Sequence, residues 1–266
     1  MYYHNIYFVF DTTKCPDSKE TKIIDNNIKK YCGSLEYKFW DFSSAKSFIN
    51  EFYPHFNNFF NTDIKYPIIK CDFFRYLIMY HFGGIYTDLD FICIRNFNTF
   101  LSMLHNKQIS YFPNDVNTPS VILSEEWLNS STLTNTLHNG ILISLTQKHP
   151  FWLKLVHEIH DNFMKDNMSL TCKDDVFYVS GPKKLLRFYE ENKQYFKDIC
   201  ILPYYYFCPY ISIEENKQVL YNSPRLDSNK NLKWVFFNIN QYSQLNELCP
   251  NSFFVCVYLN IGSMWK

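Results

Sequence analysis

The chain has 266 residues, of which 47% are hydrophobic and 20% charged, with 26 basic and 26 acidic side chains and a formal net charge of zero. This composition excludes a disordered chain, and the lack of a basic excess argues against a broad footprint on nucleic acid or an anionic membrane. Nine cysteines, an odd count with no C-x-x-C pair, indicate neither a zinc site nor a disulfide framework and predict reduced thiols in a cytosol-like compartment.

Read along the chain, NIYFVFD (5–11) is a β-rich run that passes into a turn-like segment. The run is short and has no basic leader, so it does not read as a signal peptide. SKETKIIDNNIKKYC (18–32) places Ile23, Ile24 and Ile28 at helical spacing and stops before Gly33. LEYKFWDF (35–42) alternates like a strand, and Ser43 or Ser44 is the expected cap of a helix running up to Pro54. Pro67 suits a first turn, and IIKCDFFRYLIMYHF (68–82) then runs for about four helical turns. Gly83 and Gly84 supply the expected left-handed cap, and IYTDLDFICI follows as one strand. Downstream, 108–113, 199–207 and 252–260 read as strands, and 150–166 and 181–192 as helices.

This alternation predicts an α/β fold with a mostly parallel central sheet flanked by helices, in a single domain. Most of the 26 Phe and 21 Tyr belong in its core. No run approaches the roughly 18 apolar residues of a membrane span, so a cytoplasmic protein is expected. In such sheets ligands sit beyond the carboxyl ends of the strands.

That is where Asp88 and Asp90 fall. On a strand, residues i and i+2 share a face, about 6.5–7 Å apart, and two carboxylates at that distance repel by roughly 2 kcal/mol at an effective dielectric of 20. A divalent cation reverses the sign, and oxygen-only ligands suit Mn²⁺ or Mg²⁺ completed by substrate phosphates. Asp72 and Arg75, three apart among Phe73, Phe74, Leu77 and Ile78, share a face of the preceding helix. An exposed ion pair at that spacing is worth only a few tenths of a kcal/mol. A buried one beside an acidic site can instead hold a ligand rich in hydroxyls, the Asp accepting and the Arg donating.

The stretch KCDFFRYLIMYHFGGIYTDLDF resembles the signature of the DXD-containing glycosyltransferases of family 32, with Asp72, Arg75, Gly83, Gly84, Tyr86, Asp88 and Asp90 in register. A related motif occurs in the clostridial glucosylating toxins. Cys71 stands where the family usually has a small Ser. Further blocks follow in the family's order. They are the opening strand with Phe10 at a position often held by Trp, the Trp40-Asp41 strand end, the Asn139-Gly140 pair before LISLTQKHPFW, the turn in VSGPKKL, and the ending NIGSMWK.

The resemblance implies a GT-A fold of Rossmann-like type over residues 1–266, with donor binding in about 1–100 and the acceptor side and a C-terminal lid in about 101–266. It implies transfer of a sugar from a UDP- or GDP-sugar to a glycan, lipid-linked or protein acceptor with retention of configuration, and Mn²⁺ or Mg²⁺ as cofactor. Asp90 would bridge the metal and the diphosphate, with Asp88 shared between metal and donor. Asp72 and Arg75 would hold the donor sugar, with Asn139 near the reacting face and Tyr86 also binding the donor, and Phe10 would stack on the base. Asn260 and Ser263 would complete the metal shell, and Trp265 would donate to the leaving phosphate. Asn260 stands where the toxins usually carry an acid, which weakens the implied metal site.

Two other classes compete. A nucleotide-sugar-binding protein without turnover would keep the same pocket. A haloacid-dehalogenase-like phosphatase also uses D-x-D after an apolar strand, but its motif usually lies on the first strand and is followed by Thr or Val, whereas Phe91 follows here.

Overall fold

The structure, a computed structural model, describes residues 1–6, 18–64, 66–89, 91–109, 119–126, 136–166, 173–207, 212–213, 219–220 and 251–256. In chain order its elements are β1 (Tyr2–Ile6), α1 (Ser18–Cys32), β2 (Glu36–Trp40), α2 (Phe42–Phe52), α3 (Pro67–Phe82), β3 (Gly84–Thr87), β4 (Phe91–Cys93), α4 (Phe97–His105), β5 (Val121–Glu126), β6 (Thr136–Leu137), β7 (Ile141–Ser144), α5 (Pro150–Asp166), α6 (Lys173–Val179), α7 (Pro182–Asn192), β8 (Ile199–Leu202), β9 (Ser212–Ile213), β10 (Val219–Leu220) and β11 (Phe254–Cys256).

The main sheet runs β2-β1-β3-β7-β5-β6, with β8 also on β5. Strands β2, β1, β3, β5 and β8 point the same way, and β7 and β6 oppose them. The sheet is therefore mostly parallel, as the alternation of elements predicts. One face buries Phe48, Phe74, Leu77, Leu142 and Leu155 under α2, α3, α5 and α7. The other buries Tyr3, Ile85, Ile143, Phe97 and Phe100 under α1 and α4. Among the described residues, no helix is long and apolar enough to cross a membrane, and Cys32, Cys71, Cys93 and Cys200 are buried and form no disulfide.

Helix α3 lies at the centre of the larger core. Phe73, Phe74, Leu77 and Ile78 are each 0% exposed, and burial of such a side chain contributes about 1.5–3 kcal/mol. Tyr76 stacks on Trp152 of α5, with ring centroids 6.1 Å apart. This apolar packing fixes α3 firmly enough to carry charged residues within it.

Several expectations need correction. The cap of α2 is Asp41, not Ser43 or Ser44: its carboxylate accepts from the Ser44 amide at 2.7 Å while the Ser44 hydroxyl accepts from the Asp41 amide at 3.0 Å. Both ends of that reciprocal pair are polar, so the sequence alone could not order them. Gly83 has φ 60° and ψ −155°, outside the left-handed helical well and in an extended region open only to glycine. It turns α3 directly into β3. Gly84, with φ +94°, lies so close to β1 that a Cβ would stand 2.1 Å from the Tyr2 carbonyl oxygen.

The run IYTDLDFICI is two strands, not one. After Thr87 the chain turns, the Phe91 amide bonding to the Asp88 carbonyl at 3.1 Å, and β4 leaves the main sheet to pair with β11. Asp88 therefore sits on a turn rather than within a strand. The opening strand starts earlier than expected, at Tyr2, and residues 7–11 lie outside the described residues. Gln108 and Ile109 belong to no strand, and 110–113 lie outside the described residues. Strand β8 stops at Leu202, before Pro203 and a 3₁₀ turn at Tyr204–Tyr206. The last expected strand is observed as Phe254–Cys256, and 257–260 lie outside the described residues.

Candidate functional site

Asp88 leaves the carboxyl end of β3 at the edge where β1 and β5 also end. Its amide donates to the Gly140 carbonyl at 2.8 Å. Gly140 belongs to an interruption, His138–Gly140, between β6 and β7, both of which run antiparallel to β5. The His138 amide still reaches the Ser124 carbonyl of β5, at 2.8 Å. Such an insertion kinks the strand and re-aims a side chain. Here it brings Asn139 over α3, where its amide nitrogen donates to Asp72 Oδ1 at 3.0 Å.

Asp72 and Arg75 form an ion pair at 3.1 Å, and each side chain is only 3% exposed. An isolated charge at that depth would be expensive, so the neighbours must compensate. Around Asp72, Oδ1 takes Arg75 and Asn139, and Oδ2 takes the Ser180 hydroxyl at 2.7 Å. Burial still pushes its carboxyl up to about 6, against the opposing pull of Arg75 and of the Ser180 and Asn139 hydrogen bonds. Burial also works against the charge of Arg75, but Asp88, Tyr86 and Asp72 outweigh it and hold the guanidinium above its ordinary range.

Arg75 extends past Asp72. It donates to the Asn139 carbonyl at 2.8 Å, stands 3.3 Å from Asp88 Oδ1, and lies over the Tyr86 ring at 4.9 Å from its centroid. The Tyr86 hydroxyl donates to the same Asp88 oxygen. Burial raises the Tyr86 phenol well above its ordinary range, so it stays a neutral donor. A network thus runs from the core to the surface, and the Asp88 side chain at its end is 38% exposed. With Oδ1 engaged, Oδ2 faces Gly140, where a Cβ would come to 2.7 Å of it. The missing side chain of Gly140 keeps room at that oxygen.

The structure therefore brings together five of the expected residues, Asp72, Arg75, Tyr86, Asp88 and Asn139. Asp90, Phe10, Asn260, Ser263 and Trp265 lie outside the described residues. Among the described residues no group of three or more His, Cys, Asp or Glu is placed to hold a metal. Of the expected oxygen ligands only Asp88 is described, and it fits a hard cation: a partly exposed carboxylate with one oxygen anchored and space kept beside the other. Ser180 and Tyr76 were not anticipated as parts of the site. The signal for Ser180 was the VSGPKKL turn, to which the sequence attaches no partner.

Comparison with known proteins finds partial likenesses. Residues 16–108 match the family described as glycosyltransferase sugar-binding region containing DXD motif. Inositol phosphoceramide mannosyltransferase 1 of Schizosaccharomyces pombe is 30% identical over 148 residues, 55% of this chain and 38% of that protein. Mannosyl phosphorylinositol ceramide synthase SUR1 of Saccharomyces cerevisiae is 42% identical over 67 residues, 25% of this chain and 17% of that protein. The matched stretches thus span well under half the length of either relative. Among solved structures, PaToxG glycosyltransferase superposes with a TM-score of 0.48 at 15% identity, over 71% of this chain and 68% of that one. The stretch 16–108 that matches this family includes Asp72, Arg75, Tyr86, Asp88 and Asp90.

Proposed function

We propose that this chain is a metal-dependent glycosyltransferase that moves a hexosyl unit from a nucleotide-diphosphate sugar to an acceptor hydroxyl. The observation that carries this reading is the asymmetry of the half-buried Asp88, tied on one oxygen by Arg75 and Tyr86, with its other oxygen beside Gly140, which has no side chain to crowd it. A carboxylate presented in that way at a strand end, inside the matched sugar-binding region, suits a site for a sugar diphosphate. The phosphatase reading would need Asp88 or Asp90 as a free nucleophile, and the Arg75 and Tyr86 contacts on Asp88 oppose that role.

Asp88 and Asp90 would hold Mn²⁺ or Mg²⁺, with Asn260 and Ser263 completing the shell. When bound, the ion supplies positive charge against the leaving diphosphate. In support, among the described residues Asp72 and Asp88 share the single cation Arg75, a negative balance that a bound ion would offset against an anionic donor. Asn139 and Asp88, the more accessible members, meet the sugar hydroxyls. Asp72 and Arg75 hold them in place from beneath, and donors fixed in advance stabilise developing charge without reorganising. Phe10 would stack on the base and Trp265 would donate to the departing phosphate. Transfer would proceed with retention by a front-face route: the acceptor oxygen bonds to the anomeric carbon on the side from which the diphosphate departs, and the acceptor's proton passes to the departing phosphate oxygen.

Both yeast relatives are named for mannosyl transfer to a ceramide carrying phosphoinositol. GDP-mannose is accordingly the first donor to try, and a polar lipid headgroup the first acceptor. The test is release of nucleotide diphosphate from a panel of UDP- and GDP-sugars, with Mn²⁺ and with chelator, in the wild type and Asp90→Asn. Release that needs metal and vanishes in Asp90→Asn at an unchanged melting temperature is expected. Absence of turnover with every donor, or turnover indifferent to both metal and Asp90, would defeat the reading.

A further inference from the structure

We propose that Ser180 is a positioning residue of this site, acting on the reaction through Asp72. The inference rests on the glycosyltransfer reading and adds to it a residue distant in sequence that touches no substrate.

Ser180 lies in the corner between α6 and α7 and is 0% exposed. Its amide bonds to the Val176 carbonyl at 3.1 Å, and the next amide, of Gly181, bonds to the same carbonyl at 3.0 Å. Pro182 then opens α7. The corner is tight, since a Cβ on Gly181 would come to 3.1 Å of Phe177 Cα. From this fixed backbone Ser180 reaches α3 twice. Its hydroxyl donates to Asp72 Oδ2 at 2.7 Å, and its carbonyl accepts from the Tyr76 hydroxyl at 2.9 Å. Asp72 and Tyr76 are successive residues of one helical row, so the two contacts clamp adjacent turns of α3.

A hydroxyl buried only for packing needs a single acceptor, and any nearby carbonyl would do. Here it is given to a carboxylate, a charge-assisted bond of roughly twice the strength of a neutral one. The effect on geometry is specific. With Oδ2 held by Ser180, the Asp72 carboxylate cannot rotate, and Oδ1 stays in line with Arg75 and Asn139. Arg75 in turn aligns Asp88. Without the hydroxyl, the carboxylate regains a torsion and the chain of contacts to Asp88 loosens. Outer partners that orient functional side chains typically cost 10–100-fold when removed, by analogy with those of metal ligands.

The experiment compares wild type, Ser180→Ala and Ser180→Thr as full-length chains. It uses the sugar nucleotide that the wild type turns over, at a temperature where thermal melts show every protein fully folded. Threonine keeps the hydroxyl and adds one methyl. Ser180→Ala should lower kcat about tenfold while leaving the Kd of the nucleotide diphosphate with Mn²⁺ within about twofold of wild type, and Ser180→Thr should recover most of the loss. Should Ser180→Ala fail to fold, Ser180→Cys, nearly isosteric but a weak donor, gives the same reading. Wild-type kcat in the alanine or cysteine variant, or a threonine variant as impaired as alanine, overturns the proposal while the glycosyltransfer reading stands. A wild type that turns over no donor overturns both.

Discussion

Arg75 stands 3.3 Å from Asp88 and 3.1 Å from Asp72, so one guanidinium serves a carboxylate sealed in the core and another that reaches solvent. The planar fork of arginine makes this possible, because separate N–H groups point in separate directions. Arg75→Lys keeps the charge but not the fork. It should cost about 1–2 kcal/mol in stability and at least tenfold in donor turnover. Arg75→Met leaves Asp72 buried without its cation and should cost about 3–5 kcal/mol. Urea denaturation and nucleotide release measure the two effects, and a lysine variant as stable and active as wild type would refute the dual role.

Gly140 guards the open side of Asp88. An alanine methyl would meet Asp88 Oδ2 at 2.7 Å and His138 Cε1 at 2.8 Å. Both are side-chain atoms that can shift, and Gly140 is not among the residues with positive φ, so the fold should lose only about 1 kcal/mol. Turnover should fall about tenfold or more, because the oxygen that must move is the one meant to face the ligand. A Gly140→Ala variant with wild-type kcat/KM would show that this space is not used.

His4 gives the stability a pH dependence. The Trp40 indole donates to Nδ1 at 3.2 Å, which leaves Nε2 to donate to the Gly83 carbonyl at 3.0 Å. Burial lowers its pKa from 6.5 to about 3, with the Gly83 bond opposing and Lys38 assisting. The unfolded chain therefore binds a proton that the folded chain refuses between those values. This contribution is intact above pH 6.5 and is lost as pH falls toward 3, by about 2 kcal/mol at pH 5. Asp72, raised to about 6, works the other way: protonation favours the folded state as pH falls from 6 toward 3.8. Since both chains share Asp72, the difference between wild type and His4→Gln isolates His4. Between pH 7 and 5 the wild type should lose about 2 kcal/mol more in urea titrations than the variant, and parallel losses would contradict the assignment.

What could be read from the sequence follows how local each determinant is. Helices α1, α3, α5 and α7 are read nearly to the residue because their apolar spacing and flanking Pro and Gly are contained within them. The pairing of Asp72 with Arg75 is equally local. The break between β3 and β4 is not legible in the sequence, because Asp88 and Asp90, two apart between apolar and β-branched neighbours, fit one alternating strand as well as a turn. Only the distant partner β11 draws its second half off the main sheet. The role of Ser180 was hidden for the same reason: its hydroxyl and Asp72 lie on elements far apart in sequence, and no periodicity encodes their meeting. At His138–Gly140 the sequence shows only an Asn-small pair, and the cause of the interruption, two strand segments sharing β5, is a property of the assembled sheet.

The join between β3 and β7 bears on how this protein moves. Their ladder runs from Gly84–Ser144 to Thr87–Ile141, and the Asp88 amide extends it to Gly140. Shifting Asp88 relative to Asn139 would therefore mean unzipping backbone hydrogen bonds at the middle of the sheet. Binding and release should therefore take place over a backbone floor that keeps its register.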